Sequence, residues 1–180
     1  MVDAPRYIAS PRLRMVSATA GLLNADLASR AALAEALEAI VPDNWPPELY
    51  DRPAMEWAQR QLADPAEQGW SFWYLLHTAE TGQDELIGLC GFKGRPDAQG
   101  SVEIGYSMLD QFRNLGYASE AVARLVEWAF GHARVSEVSA ETLPYLRQSI
   151  RVLEKNGFGF AGPGSEHGVV RYAVSRRSLR

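Results

Sequence analysis

Cysteine is almost absent from this sequence, which has only Cys90 among its 180 residues. A single thiol cannot form an internal disulfide, so the composition favours a reducing compartment, and we expect a cytoplasmic protein. Cys90 could serve as a nucleophile, but it stands in an apolar, strand-like run, where a small thiol usually packs in a core. Packing is therefore the preferred interpretation of Cys90.

The sequence also lacks an excess of positive charge and any long apolar run. It has 18 Lys and Arg against 22 Asp and Glu, a net charge of −4, whereas general nucleic-acid or membrane-surface binders present a basic face. Residues 1–14 contain no apolar segment typical of a signal peptide, and no segment approaches the roughly 20 apolar residues of a transmembrane helix. We therefore expect neither nucleic acid nor a membrane as a partner.

Apolar residues, by contrast, are plentiful enough for a substantial core. The sequence is 47% hydrophobic and 22% charged, which is typical of a globular protein. It has no internal repeat and no low-complexity tract, and its length is that of one ordinary domain. We predict a single domain over residues 1–180.

Hydrophobic periodicity divides the chain into strand and helix patterns. Asn24 or Asp26 can cap the first helix and Pro42 can end it. Three consecutive strands with short turns favour an antiparallel meander, and the strand–helix–strand passage through Gly116 predicts parallel neighbours. We therefore expect an α/β fold with a mixed sheet. The predicted strands lie near 12–18, 70–80, 86–94, 101–109, 135–142, 157–162 and 168–175, and the predicted helices near 24–41, 53–62, 118–133 and 145–156.

The turn before the third predicted helix has the pattern R-x-x-G-x-A, from Arg113 through Gly116 to Ala118. The first N–H groups of a helix lack intrahelical acceptors, and with the helix dipole they attract phosphate. Gly116 and Ala118 permit close approach, while Arg113 adds a cation suited to phosphate oxygens. The glycine spacings of a P-loop or a dinucleotide fold are absent. The pattern predicts a phosphate site, with a plain helix start bearing a surface arginine as the alternative.

Three segments together resemble the GNAT superfamily of acyl-CoA-dependent N-acetyltransferases, and within it the ribosomal-protein-alanine N-acetyltransferase subgroup. "VEIGYSMLDQFRNLGYASEAV" (102–122) is similar to the family's fourth strand, pyrophosphate loop and following helix. "SIRVLEKNGF" (149–158) is similar to the segment that closes the cofactor groove, and "PRLRMVSAT" (11–19) to the first strand. The resemblance implies a central mixed, mostly antiparallel sheet, splayed between the family's strands 4 and 5, with helices on both faces.

The resemblance also implies where acetyl-CoA, the acetyl donor, binds. Backbone groups near Tyr106 and Met108 would pair with the pantetheine arm like an added strand. Asn114 stands where the family often has glycine, but asparagine tolerates positive φ, so we expect the loop to form. The residues implied to hold the pyrophosphate are Arg113, Asn114, Leu115, Gly116, Tyr117 and Ala118.

The implied chemistry is direct attack of an amine on the thioester, which requires an amine without its proton and a thiolate that can leave. Glu103 resembles the general base of several family branches, although its strand position also suits a solvated or structural carboxylate. Ser149 could place the thiol, or it could be a hydroxyl of the groove wall. Leu153 stands where the family frequently has a tyrosine that acts as the general acid. We therefore expect the thiolate to take its proton from solvent.

The acceptor is expected where the first two helices and their loop face the open strands. Trp45, Tyr50 and Trp57 are the aromatic candidates there, although aromatic residues beside prolines more often anchor a loop. The three histidines lack metal-ligand spacing, so no metal is expected. The acceptor could be a protein N-terminus or a small amine such as an amino acid, polyamine or antibiotic, and the chain could be a monomer or a homodimer.

The sequence therefore predicts an acetyl-CoA-dependent N-acetyltransferase that acts on a primary amine. A catalytically silent acyl-CoA-binding or sensing module is the alternative, because Leu153 replaces the tyrosine and Leu146 stands where asparagine is frequent. A nucleotide-binding protein without acyl chemistry is a third interpretation, and it predicts competition by free nucleoside triphosphates.

Overall fold

The computed structural model describes residues 4–179, and within that range eight strands form a sheet in the order β1-β2-β3-β4-β5-β6-β8-β7. This arrangement confirms the predicted α/β fold with a mixed, mostly antiparallel sheet. A short edge strand, β1, precedes the predicted first strand, so the family's fourth and fifth strands are β5 and β6 here. The strands are β1 (Tyr7–Ala9), β2 (Arg14–Ser17), β3 (Phe72–Thr78), β4 (Asp84–Phe92), β5 (Ser101–Met108), β6 (Glu137–Thr142), β7 (Gly159–Pro163) and β8 (Val170–Ser175).

The pairing between β5 and β6 is parallel and short. Residues 101–103 of β5 lie opposite residues 137–139 of β6. Beyond that point β5 continues to Met108 with β4 as its partner, while β6 continues to Thr142 with β8 as its partner. The two strands therefore open into a V, as the predicted splay requires.

Five helices lie within residues 4–179, and none of them is both long and apolar enough to cross a membrane. The helix predicted after Pro53, the long helix after Gly116 and the short helix before Gly157 are confirmed to within a few residues. The helices are α1 (Ala20–Ala28), α2 (Arg30–Leu37), α3 (Arg52–Gln61), α4 (Tyr117–Phe130) and α5 (Arg147–Lys155).

The single helix predicted over 24–41 is wrong, because two helices meet at Ser29. Thr19, rather than Asn24 or Asp26, caps α1 by accepting from the Leu22 amide. Ser29 has extended backbone angles and accepts from the Ala32 amide, so it ends α1 and caps α2. A serine hydroxyl that accepts from a first-turn amide lowers the free-energy cost of such a break. The hydrophobic periodicity continues through Ser29, so it does not reveal the break.

Alternating strand residues divide the core into two clusters, one on each face of the sheet. Trp73 and Leu75 of β3 pack on the α4 and α5 side. Tyr74 and Leu76 pack on the side of α1, α2 and α3. Helices therefore cover both faces, and the V between β5 and β6 lies between the two layers.

Candidate active site

Two residues with left-handed backbone angles shape the loop between β5 and α4. Asn114 has φ 61° and Gly116 has φ 85°, so Asn114 adopts positive φ as expected. The first amides of α4 have no acceptor within the helix. The first amide of the helix with a helical acceptor is that of Glu120, which donates to the Gly116 carbonyl at 3.1 Å. The loop therefore presents unpaired N–H groups at the positive end of α4, as a phosphate site requires.

Arg12 lies against the same loop, although no sequence pattern singled it out. Its Nη1 donates to the Leu115 carbonyl at 2.9 Å, across 103 positions of sequence, and its Nε donates to Glu120 at 2.7 Å. The guanidinium stands 4.5 Å from the centre of the Tyr117 ring. Partial burial opposes ionisation of Glu120, but hydrogen bonds from Ser10 and Arg12 lower its pKa. Arg12 is thus a second cation at the predicted phosphate loop.

Arg113, the residue predicted to contact phosphate, is bound to protein groups. Its Nε donates to the Met108 carbonyl at 3.2 Å. Its guanidinium also forms ion pairs with Glu48 at 3.2 Å and Asp110 at 3.1 Å. Both carboxylates are largely exposed, so these pairs are weak and exchangeable. Phosphate binding by Arg113 remains a prediction.

The proline-rich loop between α2 and α3 closes over the end of β5. Ser107 Oγ donates to the Glu48 carbonyl at 2.6 Å, and the Asn44 and Gln111 amides exchange hydrogen bonds at 2.9 and 3.2 Å. A cavity of about 360 Å³ lies at this junction, so it joins the acceptor-side loop to the predicted phosphate loop. It is lined by Asn44, Pro46, Pro47, Glu48, Met108, Leu109, Asp110 and Arg113.

Two of the three aromatic residues predicted at the acceptor site lie beneath this loop. Trp45 and Tyr50 are only 7% and 9% exposed, and Trp45 packs against both Tyr50 and Tyr74. Trp57 on α3 is 48% exposed. Trp45 and Tyr50 therefore act as anchors of the loop, which is the alternative interpretation of aromatic residues beside prolines. An acceptor contact remains a prediction for all three residues, of which Trp57 is the most exposed.

The anchor of this loop is the buried carboxyl of Asp26. It accepts from Trp45 Nε1 at 2.9 Å and from the Tyr74 hydroxyl at 3.0 Å. Burial raises the pKa of Asp26 above its usual 3.8, although the hydrogen bonds from Trp45 and Tyr74 lower it. Because the folded-state pKa is raised, the contribution of Asp26 to stability is fully present below pH 3.8 and is lost as pH rises through the raised value.

We expect Asp26→Asn to remove this pH dependence, because an amide does not titrate. The free energy of unfolding of the wild type minus that of D26N should fall as pH rises from 3.8 to neutrality. Urea denaturation at several pH values measures this difference. Asp43→Asn, at an exposed carboxylate, is the control and should leave the pH dependence of the wild type in place. A difference for D26N that does not change with pH would contradict the assignment.

A pair of hydroxyl groups bridges the opening between β5 and α5. The Tyr106 hydroxyl donates to the Ser149 carbonyl at 3.0 Å and lies 3.0 Å from Ser149 Oγ. Burial raises the pKa of Tyr106 to about 12, although the hydrogen bond with Ser149 lowers it and nearby Cys90 raises it further. The phenol is therefore protonated at neutral pH. The structure thus brings together the residue predicted to place the thiol and a strand residue predicted for backbone contact alone.

Glu103 lies on the face of β5 opposite to Tyr106, because side chains alternate along a strand. Gly105 and Ser107 share this face, and a Cβ added to Gly105 would meet no atom within 4 Å. The Glu103 carboxylate is 27% exposed and forms an ion pair with Lys93, just beyond β4. Pattern reasoning missed Lys93, since its contact depends on the β4–β5 hairpin. This geometry is compatible both with a base role for Glu103 and with a structural carboxylate.

A second carboxylate on this face, Glu141, was also missed. Glu103 lies opposite Ser139 in the parallel pair, so Glu141, two residues farther along β6, points to the same side. Glu141 accepts from Ser165 Oγ at 2.7 Å and from its amide at 2.8 Å. These bonds lower the pKa of Glu141, helped by the charges of Lys93 and Arg171 and opposed by partial burial. The alternation of polar residues in "SEVSAET" was the signal available in the sequence.

The sequence matches the family model for an acetyltransferase (GNAT) domain over residues 13–159. It is 38% identical over 74 residues to the uncharacterized N-acetyltransferase YjdG from Bacillus subtilis (strain 168). That alignment covers 41% of this chain and 44% of the relative, so the matched segment spans less than half of the relative's length.

Solved structures show the same fold along almost the whole chain. The ribosomal-protein-S5-alanine acetyltransferase from Vibrio fischeri aligns with a TM-score of 0.65 and 14% identity, covering 97% of this chain and 99% of that one. The ribosomal L7/L12 alpha-N-protein acetyltransferase RimL, in complex with coenzyme A, aligns with a TM-score of 0.65 and 18% identity, covering 94% and 98%. At such low identity the similarity concerns the fold alone.

Proposed function

The chain belongs to the acetyltransferase (GNAT) domain family, and from this premise we propose that it transfers an acetyl group from acetyl-CoA to a primary amine. The observation that carries the proposal is the V between β5 and β6, which leads to unpaired amides at the start of α4. The free edge of β5 suits the amide groups of a pantetheine arm. The front of α4 suits a pyrophosphate.

In the proposed complex, backbone groups near Tyr106 and Met108 pair with the pantetheine arm, since β6 has diverged from this part of β5. Loop residues from Asn114 to Ala118 hold the pyrophosphate. Arg113 exchanges its exposed carboxylate partners for phosphate oxygens, a stronger charge-assisted contact. RimL, which has the same fold, was solved in complex with coenzyme A, and this supports coenzyme A as a ligand of the fold.

Glu103 is the proposed general base. The amine must lose a proton before it can attack, and the Glu103 carboxylate accepts that proton directly or through a water molecule. Attack forms a C–N bond to the thioester carbonyl carbon. Collapse of the tetrahedral intermediate then breaks the C–S bond and sends the electron pair to sulfur. An arriving ammonium would replace Lys93 as the partner of Glu103.

The proposed acceptor is an ammonium-bearing group, either a protein N-terminus or a small primary amine. Glu103 and Glu141 place two carboxylates on the same face of the V, beside the cations Lys93 and Arg171. An ammonium group can pair with these carboxylates as those cations do. Likeness in fold to ribosomal-protein acetyltransferases supports a protein N-terminus. Within residues 4–179, no group of three or more His, Cys, Asp or Glu side chains is arranged to hold a metal ion.

A catalytically silent acyl-CoA-binding or sensing module is the second candidate. Two observations favour it. Glu103 already has a cation, Lys93, at its carboxylate. Leu153, which stands where the family frequently has a tyrosine, has no proton to donate to a thiolate, and its side chain is fully buried in the core.

Calorimetric titration with acetyl-CoA, coenzyme A and ATP is the first test. It is followed by an assay of coenzyme A release with an acceptor panel of an alanyl peptide, lysine, spermidine and kanamycin. We expect both CoA species to bind, ATP to bind weakly, and acetyl-CoA to be consumed in proportion to added amine. Binding without amine-dependent release favours the silent module. Absence of CoA binding to folded protein contradicts both candidates.

A further inference from the structure

We propose that Tyr106 is a positioning residue that holds Ser149 so that the Ser149 hydroxyl stabilises the departing thiolate. This inference rests on the proposed acetyl transfer and adds a role for a side chain whose backbone alone was implicated. It concerns the second half of the reaction, in which the C–S bond breaks and sulfur takes the electron pair.

The position of Tyr106 in β5 makes this contact possible. Residues 104–108 of β5 have no pairing with β6, so the Tyr106 side chain can span the V. Its hydroxyl reaches both the carbonyl and the hydroxyl of Ser149 at 3.0 Å. Two contacts to one residue fix the first turn of α5 against β5. They also restrict the rotation of the Ser149 hydroxyl.

The hydroxyl pair lies where the reacting thiol is expected. The pantetheine arm is proposed to pair with the backbone of β5 near Tyr106, and Ser149 faces the same gap from α5. Leu153, one turn farther along α5, is buried in the core. Within the described part of α5, Ser149 is therefore the hydroxyl that Tyr106 directs toward the gap.

The two hydroxyl groups act by hydrogen bonding, with no proton lost from either. Burial keeps Tyr106 protonated, with a pKa of about 12, while a thiol has a pKa of about 8.5. The thiolate therefore cannot remove the phenolic proton. At this step the single phenolic O–H of Tyr106 donates to Ser149 Oγ instead of the Ser149 carbonyl, since both acceptors lie 3.0 Å away. The Ser149 O–H is then free to donate to the developing sulfur anion while the C–S bond breaks, as preorganised donors do. The thiolate then takes its proton from solvent, so atoms and charges balance.

A purely structural latch between β5 and α5 is the competing explanation, and leaving-group dependence separates the two. We expect Tyr106→Phe to lower kcat for acetyl-CoA by about 10-fold, the value of one hydrogen bond, with its KM changed by less than about 3-fold. Ser149→Ala should lower kcat by about 10- to 100-fold. The double variant should be no slower than S149A, because Tyr106 acts through Ser149.

The decisive readout compares acetyl-CoA with S-(4-nitrophenyl) thioacetate, whose thiolate leaves readily without help. With this thioester and the best amine of the acceptor panel, Y106F should have the same kcat as the wild type. Tyr172→Phe, on the same face of the sheet in β8, is the matched control and should keep full activity with both donors.

The outcomes distinguish this inference from the proposed function. Amine-dependent release by the wild type, with Y106F equally slow on both thioesters or changed only in KM, assigns Tyr106 to structure and overturns the inference alone. Additive losses in the double variant overturn it too. No amine-dependent release by the wild type contradicts the proposed function, and this inference with it.

Discussion

Replacing Gly116 by valine should raise the dissociation constant for acetyl-CoA by about 100-fold, which corresponds to about 2.7 kcal/mol. Gly116 has φ 85°, which a β-branched residue rarely adopts. An added Cβ would also stand 3.2 Å from the Arg12 guanidinium. The substitution should therefore distort the loop and keep the pyrophosphate away from the amides at the front of α4. Calorimetric titration with acetyl-CoA measures the effect.

Gly82→Val provides the matched control for this experiment. Gly82 has φ 81° in the turn between β3 and β4, and a Cβ there would meet no atom within 4 Å. It therefore imposes similar backbone strain far from the predicted phosphate loop. We expect Gly82→Val to lose stability but to bind acetyl-CoA normally. Normal acetyl-CoA binding by a folded Gly116→Val protein would contradict the assignment of the pyrophosphate to this loop.

Replacing Glu103 by glutamine should lower kcat by about 100-fold or more, within the usual range for loss of a general base. The amide keeps the size of the side chain but cannot accept the proton of the amine. The rise of rate with alkaline pH should also flatten, while KM for acetyl-CoA changes by less than about 3-fold. Steady-state kinetics across a pH series measure all three quantities.

Glu137→Gln is the control for the Glu103 experiment. Glu137 lies on β6 opposite Ser101, at the closed end of the V, and forms an ion pair with Arg171 at 3.5 Å. Its loss should leave both kcat and the pH profile nearly unchanged. Equal losses in E103Q and E137Q, or an unaltered pH profile in E103Q, would identify Glu103 as a structural partner of Lys93.

The parts of the site that depend on neighbours in sequence could be predicted, and those that depend on folding could not. Asn114 and Gly116 are residue types that tolerate positive φ, so the sequence indicates that both can adopt it. The strand before them and the helix after them have clear periodicity. Arg12 and Glu48 reach the same loop from 103 and 65 positions away. The neighbouring sequence does not identify Arg12 or Glu48 as site residues. A single arginine or glutamate near a strand or loop has no recognisable role until its partners in the fold are known.

Burial explains the remaining differences. Prolines beside Trp45 and Tyr50 suggest loop anchors as well as acceptor contacts, but the sequence does not show which buried group would hold these side chains. In the folded chain Asp26 supplies a buried acceptor for Trp45, so the aromatic side of the loop turns inward. Ser29 shows the same limitation in a helix, since a hydroxyl that caps an amide is indistinguishable in sequence from one that faces water.

The V between β5 and β6 also changes the risk of unwanted association. An unpaired strand edge at the rim of a sheet invites pairing with another chain. Here the outer strands are poor templates, since β1 has three residues and β7 contains Gly159, Gly162 and Pro163. The unpaired groups of β5 lie within the V, with β6 diverging on one side and Tyr106 bridging to α5. A slender ligand with amide groups can pair with them, whereas the broad edge of a second protein cannot enter.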